Sequence, residues 1–297
     1  MRLLVPGSQS EALVYRMVLD SHYPTSDACC MNRASTKSSY RVGRAINSKS
    51  NSNYKGDLEL MSQFHYIGSE LDLFAAATNW KAYWSQRIDS YLSGDVLEVG
   101  AGIGSNTGML STRASGKWVC LEPDPNLAAQ LSDHLKEMNG QVKFESACGT
   151  LQTLKENETF DTILYVDVLE HIENDATELR AASARLRPGG RVVVLSPAHQ
   201  WLFTKFDSAI GHFRRYSRSS LRKVSPPNLK LETIFYLDAC GIIASATNRL
   251  FLRQSMPTPA QIGIWDKWIV SASRVVDPIL MYSLGKSIVG VWRKPLD

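Results

Sequence analysis

The side chains best suited to chemistry lie in one segment, residues 196–216, which mixes histidine, aspartate, tyrosine, arginine and aromatic residues without a strand or helix period. A positioned histidine, aspartate or tyrosine can take up or deliver a proton, and an arginine can hold an anionic group. We therefore interpret the segment as an acceptor-site loop, with a purely structural role for its histidines and arginines as the alternative. The candidates for proton transfer are His199, His212, Asp207 and Tyr216. The candidates for substrate contact are Trp201 and Phe203, as walls, and Arg214 and Arg215, as a clamp.

A second set of residues could bind a cofactor. Gly100, Gly102 and Gly104 follow an apolar run that begins at Val96, which predicts a strand that turns tightly into a helix. Ser105 stands where the dinucleotide fingerprint GxGxxG needs its last glycine, and no phosphate-loop Gly-Lys-Ser/Thr follows. A nicotinamide-dependent oxidoreductase is therefore a minor alternative, as is a tight turn without a ligand.

Three more features accompany the glycine turn. Glu122 ends the next predicted strand, where a carboxylate can accept both hydroxyl hydrogens of a ribose. Asp167 ends a later strand, and Leu186–Gly190 joins a helix end to a buried strand. With these features the sequence resembles the class I S-adenosylmethionine-dependent methyltransferases over about residues 65–225. The motifs that carry the resemblance are Glu98–Gly104, Leu121–Asp124, Phe160–Ile172 and Leu186–Gly190.

The resemblance implies methyl transfer as the activity and S-adenosylmethionine as the cofactor. It implies that Glu122 holds the ribose, that Glu98 orders the glycine loop and that Asp124 lies near the adenosine. The backbone of residues 167–169 would border the methionine part, and the adenine contact would fall to Thr150 or to backbone groups. The predicted cofactor-side residues are Glu98, Gly100, Ala101, Gly102, Gly104, Asn106, Glu122, Pro123, Asp124, Thr150, Asp167, Val168, Leu169 and His171. No metal ligand is predicted.

The predicted elements bring both sets of residues to one edge of a sheet. Strands and helices alternate, which predicts an α/β, doubly wound, Rossmann-like sheet with helices on both faces. The resemblance implies seven strands, and a C-terminal helical addition follows. Such sheets bind ligands at the carboxyl ends of their strands. The predicted strands are 95–99, 117–122, 141–145, 160–166, 190–196, 229–236 and, as a closing edge strand, 287–293.

Two aromatic segments have alternative interpretations. Trp80 and Trp84 share a helix face, and we expect core packing, with a cover over the cofactor as the alternative. A helix from Ala260 carries one apolar stripe that we expect to pack on the core. Alternatively, it lies at a membrane surface and brings the enzyme to a lipid-linked acceptor. The stripe consists of Ile264, Trp265, Trp268, Ile269, Ala272, Val275, Val276 and Ile279.

Composition limits the choice of partners. Residues 1–56 hold eight Lys or Arg and three acids, which leaves 25 basic and 26 acidic residues from 57 onward, so no basic surface for a nucleic acid is predicted. The five cysteines show no CxxC spacing and indicate a reducing compartment. We expect a cytoplasmic enzyme, with membrane association as the alternative, that acts on a small-molecule or lipid-linked acceptor. A non-catalytic S-adenosylmethionine-binding partner protein is the competing hypothesis.

Domain boundaries follow from the same patterns. Residues 1–60 are expected to be a poorly ordered extension, from an upstream start or as a transit peptide. Residues 61–297 would form the methyltransferase domain, with a cofactor half over about 65–200 and an acceptor-site loop and C-terminal part over about 197–297.

Overall fold

Apolar, β-branched runs form the strands of one seven-stranded sheet in the computed structural model, which describes residues 70–112, 114–138, 142–247, 249 and 256–296. The strands are β1 Val96–Val99, β2 Trp118–Glu122, β3 Phe144–Cys148, β4 Phe160–Val166, β5 Leu186–Pro197, β6 Lys230–Leu237 and β7 Ser287–Arg293. Their order is β3-β2-β1-β4-β5-β7-β6, with β1 to β5 parallel and β7 antiparallel to both neighbours. The chain winds in opposite directions from β1 and β4, so the crevice between their carboxyl ends is the place where such sheets bind ligands.

Helices cover both faces of the sheet, because successive side chains of each strand point to opposite sides. The helices are α1 Glu70–Ala75, α2 Thr78–Ile88, α3 Thr107–Ser111, α4 Pro125–Glu137, α5 Asp175–Ala184, α6 Lys205–Ala209, α7 Arg218–Lys223, α8 Ala239–Thr247, α9 Pro259–Ile264 and α10 Val270–Ile279. In β1, Leu97 belongs to one apolar cluster and Val96 to the other. The predicted α/β class with helices on both faces is confirmed.

Two strand predictions need correction. The third strand starts at Phe144, not at 141. The last strand is not an edge strand, because β7 lies between β5 and β6 and is buried from Ser287 to Trp292. The edge strand at this end of the sheet is β6, where the charged side chains of Lys230 and Glu232 are compatible with one open side.

The C-terminal helical addition also differs from the predicted single stripe. A π-helical turn, Trp265–Ile269, lies between α9 and α10 and adds a residue to the helical repeat, so the apolar side chains split between two faces. Trp265 packs inward with Trp80, whereas Trp268 is 66% exposed. The core packing predicted for Trp80 and Trp84 is confirmed.

The expectations for residues 1–60, a poorly ordered extension or a transit peptide, concern residues outside those that the structure describes. Within the residues that the structure describes, none of the helices has the length and apolar character needed to cross a bilayer.

Candidate functional site: a cofactor crevice and a buried polar cluster

The glycine loop follows β1 and lies at the centre of the crevice. Gly100, Gly102 and Gly104 all have positive φ angles, of 68°, 57° and 80°, a region that suits glycine because a Cβ is strained there. A Cβ added to Gly100 would also lie 2.7 Å from Cγ2 of Val168, which follows β4. The loop backbone therefore runs close against the end of β4, as a loop that lines a cofactor must.

Glu122 ends β2 and connects the loop to the next turn. Its Oε2 accepts a hydrogen bond from the Gly102 amide at 2.8 Å, and its Oε1 accepts one from the Asp124 amide at 2.9 Å. Burial raises the pKa of Glu122 to about 6, and these two amides partly oppose the rise. Each oxygen keeps a second lone pair for a hydroxyl donor, so the side chain fits the predicted ribose contact.

Glu98 is fully buried and reaches the helix that follows the glycine loop. Its Oε2 accepts hydrogen bonds from Thr107 Oγ1 and from Trp118 Nε1, both at 2.8 Å. Because Thr107 is the first residue of α3, this carboxylate holds the far end of the loop, in agreement with the role implied by the resemblance.

The remaining cofactor-side residues have different positions. Asp124 caps α4, since its Oδ1 accepts hydrogen bonds from the amides of Asn126 and Leu127. The Thr150 hydroxyl bonds to Gln152. Asn106 Oδ1 is buried without a hydrogen-bond partner among the described residues, and so could accept one from an ammonium group of a ligand. Ala101 and Pro123 lie in the turns after β1 and β2.

The turn after β4 forms the other side of the crevice. Asp167 has a φ angle of 53°, an uncommon conformation for a residue with a side chain, and strain of this kind is concentrated at functional sites. The Asp167 side chain is exposed to solvent but has protein on several sides, as a residue at the floor of a crevice does. The surrounding protein raises the pKa of Asp167 to about 6, and the charges of His212, Lys286 and Arg215 oppose the rise.

Next to this turn lies a group that we call the polar cluster: Glu170, His171, Asp207, His212 and Arg215. His212 Nδ1 lies 3.0 Å from Asp207 Oδ1, and Arg215 Nε donates to the same oxygen at 2.7 Å. The His171 and His212 rings are 4.5 Å apart. Burial lowers the pKa of His171 to about 3, so the His171 ring is neutral. Asp207 is also buried, but the hydrogen bonds that it accepts hold the pKa of the Asp207 carboxyl well below its usual range. The cluster is therefore a mixture of acids and bases beside the crevice.

His199 lies in the same region, after β5. It has a φ angle of 65°, stacks on Tyr236 at 4.8 Å, and its Nε2 is buried without a hydrogen-bond partner among the described residues. Burial lowers the pKa of His199, and a hydrogen bond to the backbone of Gly285 opposes this change. A neutral ring with a free nitrogen keeps His199 a candidate for proton transfer.

Other predicted acceptor residues make structural contacts. The Tyr216 hydroxyl is buried and donates to Asp175 at 2.7 Å. Arg214 pairs with the same carboxylate and donates to the backbone oxygens of Ile172 and Glu173. Both side chains hold the start of α5, so the described contacts fit the structural alternative for them better than substrate contact.

The predicted wall residues differ in exposure. Trp201 is 52% exposed and lies within the short helical turn Gln200–Leu202, and Phe203, which follows this turn, is half-buried. The proposed walls thus stay a prediction.

Sequence reasoning missed two charged residues of this region. Glu170 is fully buried, although it adjoins the predicted His171 in the motif Asp167–His171. Lys286 lies just before β7 with its amino group 3.6 Å from the centre of the Trp265 ring. The motif itself was a signal for Glu170, whereas nothing near Lys286 in the sequence indicated its position.

Comparisons with known proteins agree with this geometry. Residues 96–190 match a family model described as a methyltransferase domain. A ubiquinone biosynthesis O-methyltransferase from Bradyrhizobium sp. (strain ORS 278) is 28% identical over 102 residues, 33% of this chain and 40% of the relative. Another of the same name, from Xanthomonas euvesicatoria pv. vesicatoria (strain 85-10), is 29% identical over 150 residues, 44% of this chain and 61% of the relative. The match thus covers 40% and 61% of these relatives, less than two thirds of the length of each.

The fold has solved counterparts. Phosphoethanolamine N-methyltransferase 2 of Haemonchus contortus, in complex with S-adenosyl-L-methionine, aligns with a TM-score of 0.51 and 15% identity, over 76% of this chain and 57% of that one. The [4+2]-cyclase SpnF aligns with a TM-score of 0.51 and 15% identity, over 78% and 96%. The family-model match over residues 96–190, together with the glycine loop and Glu122, shows a methyltransferase domain of the class I S-adenosylmethionine-dependent type in this chain, and S-adenosylmethionine is the cofactor that its crevice fits.

Proposed function

We propose that the protein transfers the methyl group of S-adenosylmethionine to a hydroxyl oxygen of a small or lipid-linked acceptor. The observation that carries this proposal is the polar cluster, which places the hydrogen-bonded pair of His212 and Asp207 beside Asp167 at the crevice. A hydroxyl must lose its proton to become a good nucleophile, and a histidine oriented by a carboxylate is the usual acceptor. Support for oxygen comes from four curated relatives, all of them named ubiquinone biosynthesis O-methyltransferases.

Each part of the chain has a defined task in this proposal. The cofactor supplies an activated methyl group. Glu122 and the glycine loop hold its ribose and its amino-acid end, and the turn after β4 borders the methionine part. The chain's main contribution is alignment of the acceptor oxygen in a site with little water, which can supply much of the rate acceleration.

The polar cluster handles the proton. Asp207 is buried and accepts hydrogen bonds from Thr204, His212 and Arg215, so its carboxylate stays ionised and fixes the His212 ring. With Nδ1 of His212 directed to Asp207, Nε2 is the atom that can accept a proton. Arg215 is a positioning residue here, because its guanidinium holds the Asp207 carboxylate.

We also propose that the acceptor is lipid-linked and that the exposed face of α9 and α10 contacts a lipid surface. Ile264, Trp268, Val275 and Ile279 share this face and are each more than half exposed. The acids of these helices, Asp266 and Asp277, point inward. Lys267 lies over the Trp268 ring, and within residues 259–279 the charged side chains other than these two acids are Lys267 and Arg274, both positive, which suits an anionic bilayer surface.

The first experiment is calorimetric titration with S-adenosylmethionine, S-adenosylhomocysteine and NADH, for the native chain and for Glu122→Ala. We expect binding of the first two ligands, weakened at least tenfold in the variant, and none of NADH. Catalysis is then tested as S-adenosylhomocysteine release with prenylated and unprenylated phenols.

Two further variants separate the alternatives. His212→Gln should bind the cofactor normally but lose at least 100-fold in turnover, given the usual contribution of general base catalysis. Cofactor binding without turnover on any phenol would favour the non-catalytic partner protein. Turnover of amines but not phenols would contradict the choice of oxygen.

A further inference from the structure

Three side chains of the polar cluster are arranged as ligands of a metal ion. One ligand atom each from Glu170, His171 and His212 lie within 4.8 Å of one another. Some point therefore lies within about 2.8 Å of all three atoms, compared with the 2.0–2.2 Å of zinc coordination by nitrogen and oxygen. Small side-chain rotations are therefore enough to bring all three atoms into a first coordination shell.

Each of these side chains also has an outer partner. Ser196 Oγ donates to Glu170 Oε2 at 2.9 Å, and His212 Nδ1 bonds to Asp207. His171 has a hydrogen bond to the backbone of Gly211. Metal-binding histidines and carboxylates nearly always carry such outer hydrogen bonds, which fix the tautomer and direct the free atom at the ion.

The inner atom of Glu170 is the independent sign that a ligand belongs here. Glu170 is 0% exposed, and its Oε1 has no hydrogen-bond partner among the described residues. His212 Nε2 lies 3.8 Å from this oxygen, too far for a hydrogen bond. A buried carboxylate oxygen without a hydrogen-bond partner costs free energy. A cation between Glu170 Oε1 and His212 Nε2 would remove that cost.

We propose that Glu170, His171 and His212 bind one divalent transition-metal ion, of the class of Zn²⁺, Mn²⁺ or Co²⁺. Two imidazoles and one carboxylate suit these ions better than Mg²⁺ or Ca²⁺, which prefer oxygen ligands. Three protein ligands leave a coordination position open, as in catalytic sites. The site replaces the prediction that the chain holds no metal ligand.

The role of the ion rests on the proposed function. An acceptor hydroxyl that takes the open position would be acidified by the ion, and its O–H bond would break with release of the proton to water. The oxygen would use the retained electron pair to bond to the methyl carbon, while the bond from that carbon to the cofactor sulfur breaks and S-adenosylhomocysteine leaves. With the ion bound to its Nε2, His212 serves as a ligand and the ion takes over the task of activating the hydroxyl that the proposed function gives to His212; the choice of oxygen as the methyl acceptor is unchanged.

Metal binding is tested without reference to activity. The full chain, without a polyhistidine tag, is freed of metal by chelator dialysis and titrated with ZnCl₂ and MnCl₂ by calorimetry, and with CoCl₂ by visible absorption. We expect one equivalent to bind, and the ligand-field bands of protein-bound Co²⁺. His171→Ala and the isosteric Glu170→Gln should each weaken binding at least tenfold, whereas the nearby His199→Ala should leave it unchanged.

Cofactor titration and thermal unfolding of each variant check that it folds. Absence of stoichiometric binding, or equal affinity in all variants, would overturn the proposal. The outcome of this test is separate from that of the proposed function. Metal binding without methyl transfer would support the metal site and refute the proposed activity. Methyl transfer by a protein that binds no metal and is insensitive to chelator would support the activity and refute the metal site.

Discussion

At the scale of single residues, Glu122 links the pH to cofactor binding. Its carboxylate is buried between two backbone amides, and its pKa is raised to about 6 by that burial. Two titratable groups among the described residues face it: the charge of Asp124 raises the pKa further, and the Cys148 thiol lies close. His134 contacts the adjacent glycine loop. Only the ionised carboxylate can accept both ribose hydroxyls.

We therefore predict that affinity for S-adenosylmethionine rises with pH through about 6 and levels off above it, by up to tenfold per pH unit on the acid side. Calorimetry between pH 5 and 8 measures this dependence. Glu122→Gln, which cannot ionise, should bind weakly and with a flat profile over the same range. An equal slope in both proteins would assign the titration to another group.

The raised pKa of Glu122 has the opposite consequence for the stability of the cofactor-free protein, which falls as the pH rises. Burial favours the protonated form of Glu122, so its contribution to folding is fully present below the unfolded pKa of about 4.3 and is lost as the pH rises through about 6. Bound cofactor should remove this loss, since it favours the carboxylate.

Gly100 offers a second test at this scale. Gly100→Ala places a Cβ 2.7 Å from Val168 Cγ2 at a φ angle of 68°, so the loop or the end of β4 must shift. We expect a destabilisation of about 1–3 kcal/mol and cofactor binding at least tenfold weaker. The matched control is Gly263→Ala in α9, where the added methyl meets nothing within 4 Å and should stabilise the protein by about 0.4–1 kcal/mol. Thermal unfolding and calorimetry measure both effects.

How far the sequence predicts the site depends on the distance between interacting residues. The glycine loop and Glu122 were predictable because each is recognised from a short stretch of neighbouring residues: a glycine-rich turn after one strand, and the last residue of the next strand. Glu170 and Lys286 were not predicted. The former depends on Ser196, 26 residues away, and the latter on Trp265 and Asp238. Only the folded sheet brings such partners together.

At the scale of elements, the C-terminal helical addition completes the start of α2. Ala77 at the N-cap provides no side-chain cap, and the carboxylate of Asp266, 186 residues away from Trp80, accepts hydrogen bonds from the amides of Asn79 and Trp80 instead. This distant cap marks the start of α2, after the break at residues 76–77 that separates it from α1.

Asp266→Ala should therefore destabilise the protein by about 1–2 kcal/mol, as the loss of an N-cap does, because two helical amides lose their acceptor. Chemical denaturation measures the change in the free energy of unfolding. Asp133→Ala, which removes an exposed ion pair with Lys136, should change stability by less than about 0.5 kcal/mol. Equal losses in the two variants would show that the cap contributes nothing.

The helical period itself misled the prediction of the stripe. Apolar residues at three- and four-residue steps lie on one helix face as long as the helix keeps 3.6 residues per turn. The π-helical turn Trp265–Ile269 has a different number of residues per turn, so the pattern no longer predicts a single face. The strand predictions depended less on such details, since a buried parallel strand needs only a short apolar run.

At the scale of the whole molecule, the exposed apolar face of α9 and α10 is the feature that the fold does not use. A face that presents Trp268 at 66% and Ile279 at 73% exposure costs free energy in water unless another surface covers it. The proposed lipid-linked acceptor gives that face a purpose, because a catalytic crevice held at a bilayer meets a substrate that is dissolved there.

We predict that the protein sediments with vesicles of phosphatidylcholine and phosphatidylglycerol and less with phosphatidylcholine alone, since Lys267 adds electrostatic attraction. Trp268→Ser should weaken vesicle binding about tenfold, in line with the roughly 1.5–3 kcal/mol for burial of a large apolar side chain, and turnover of a prenylated acceptor in vesicles should fall with it. The matched control is Leu296→Ser, at a position 67% exposed but outside this face. Because Trp268 takes no part in the crevice, turnover of a water-soluble phenol should stay unchanged, and a loss on both acceptors would mean that the substitution acts on the fold rather than on the membrane contact.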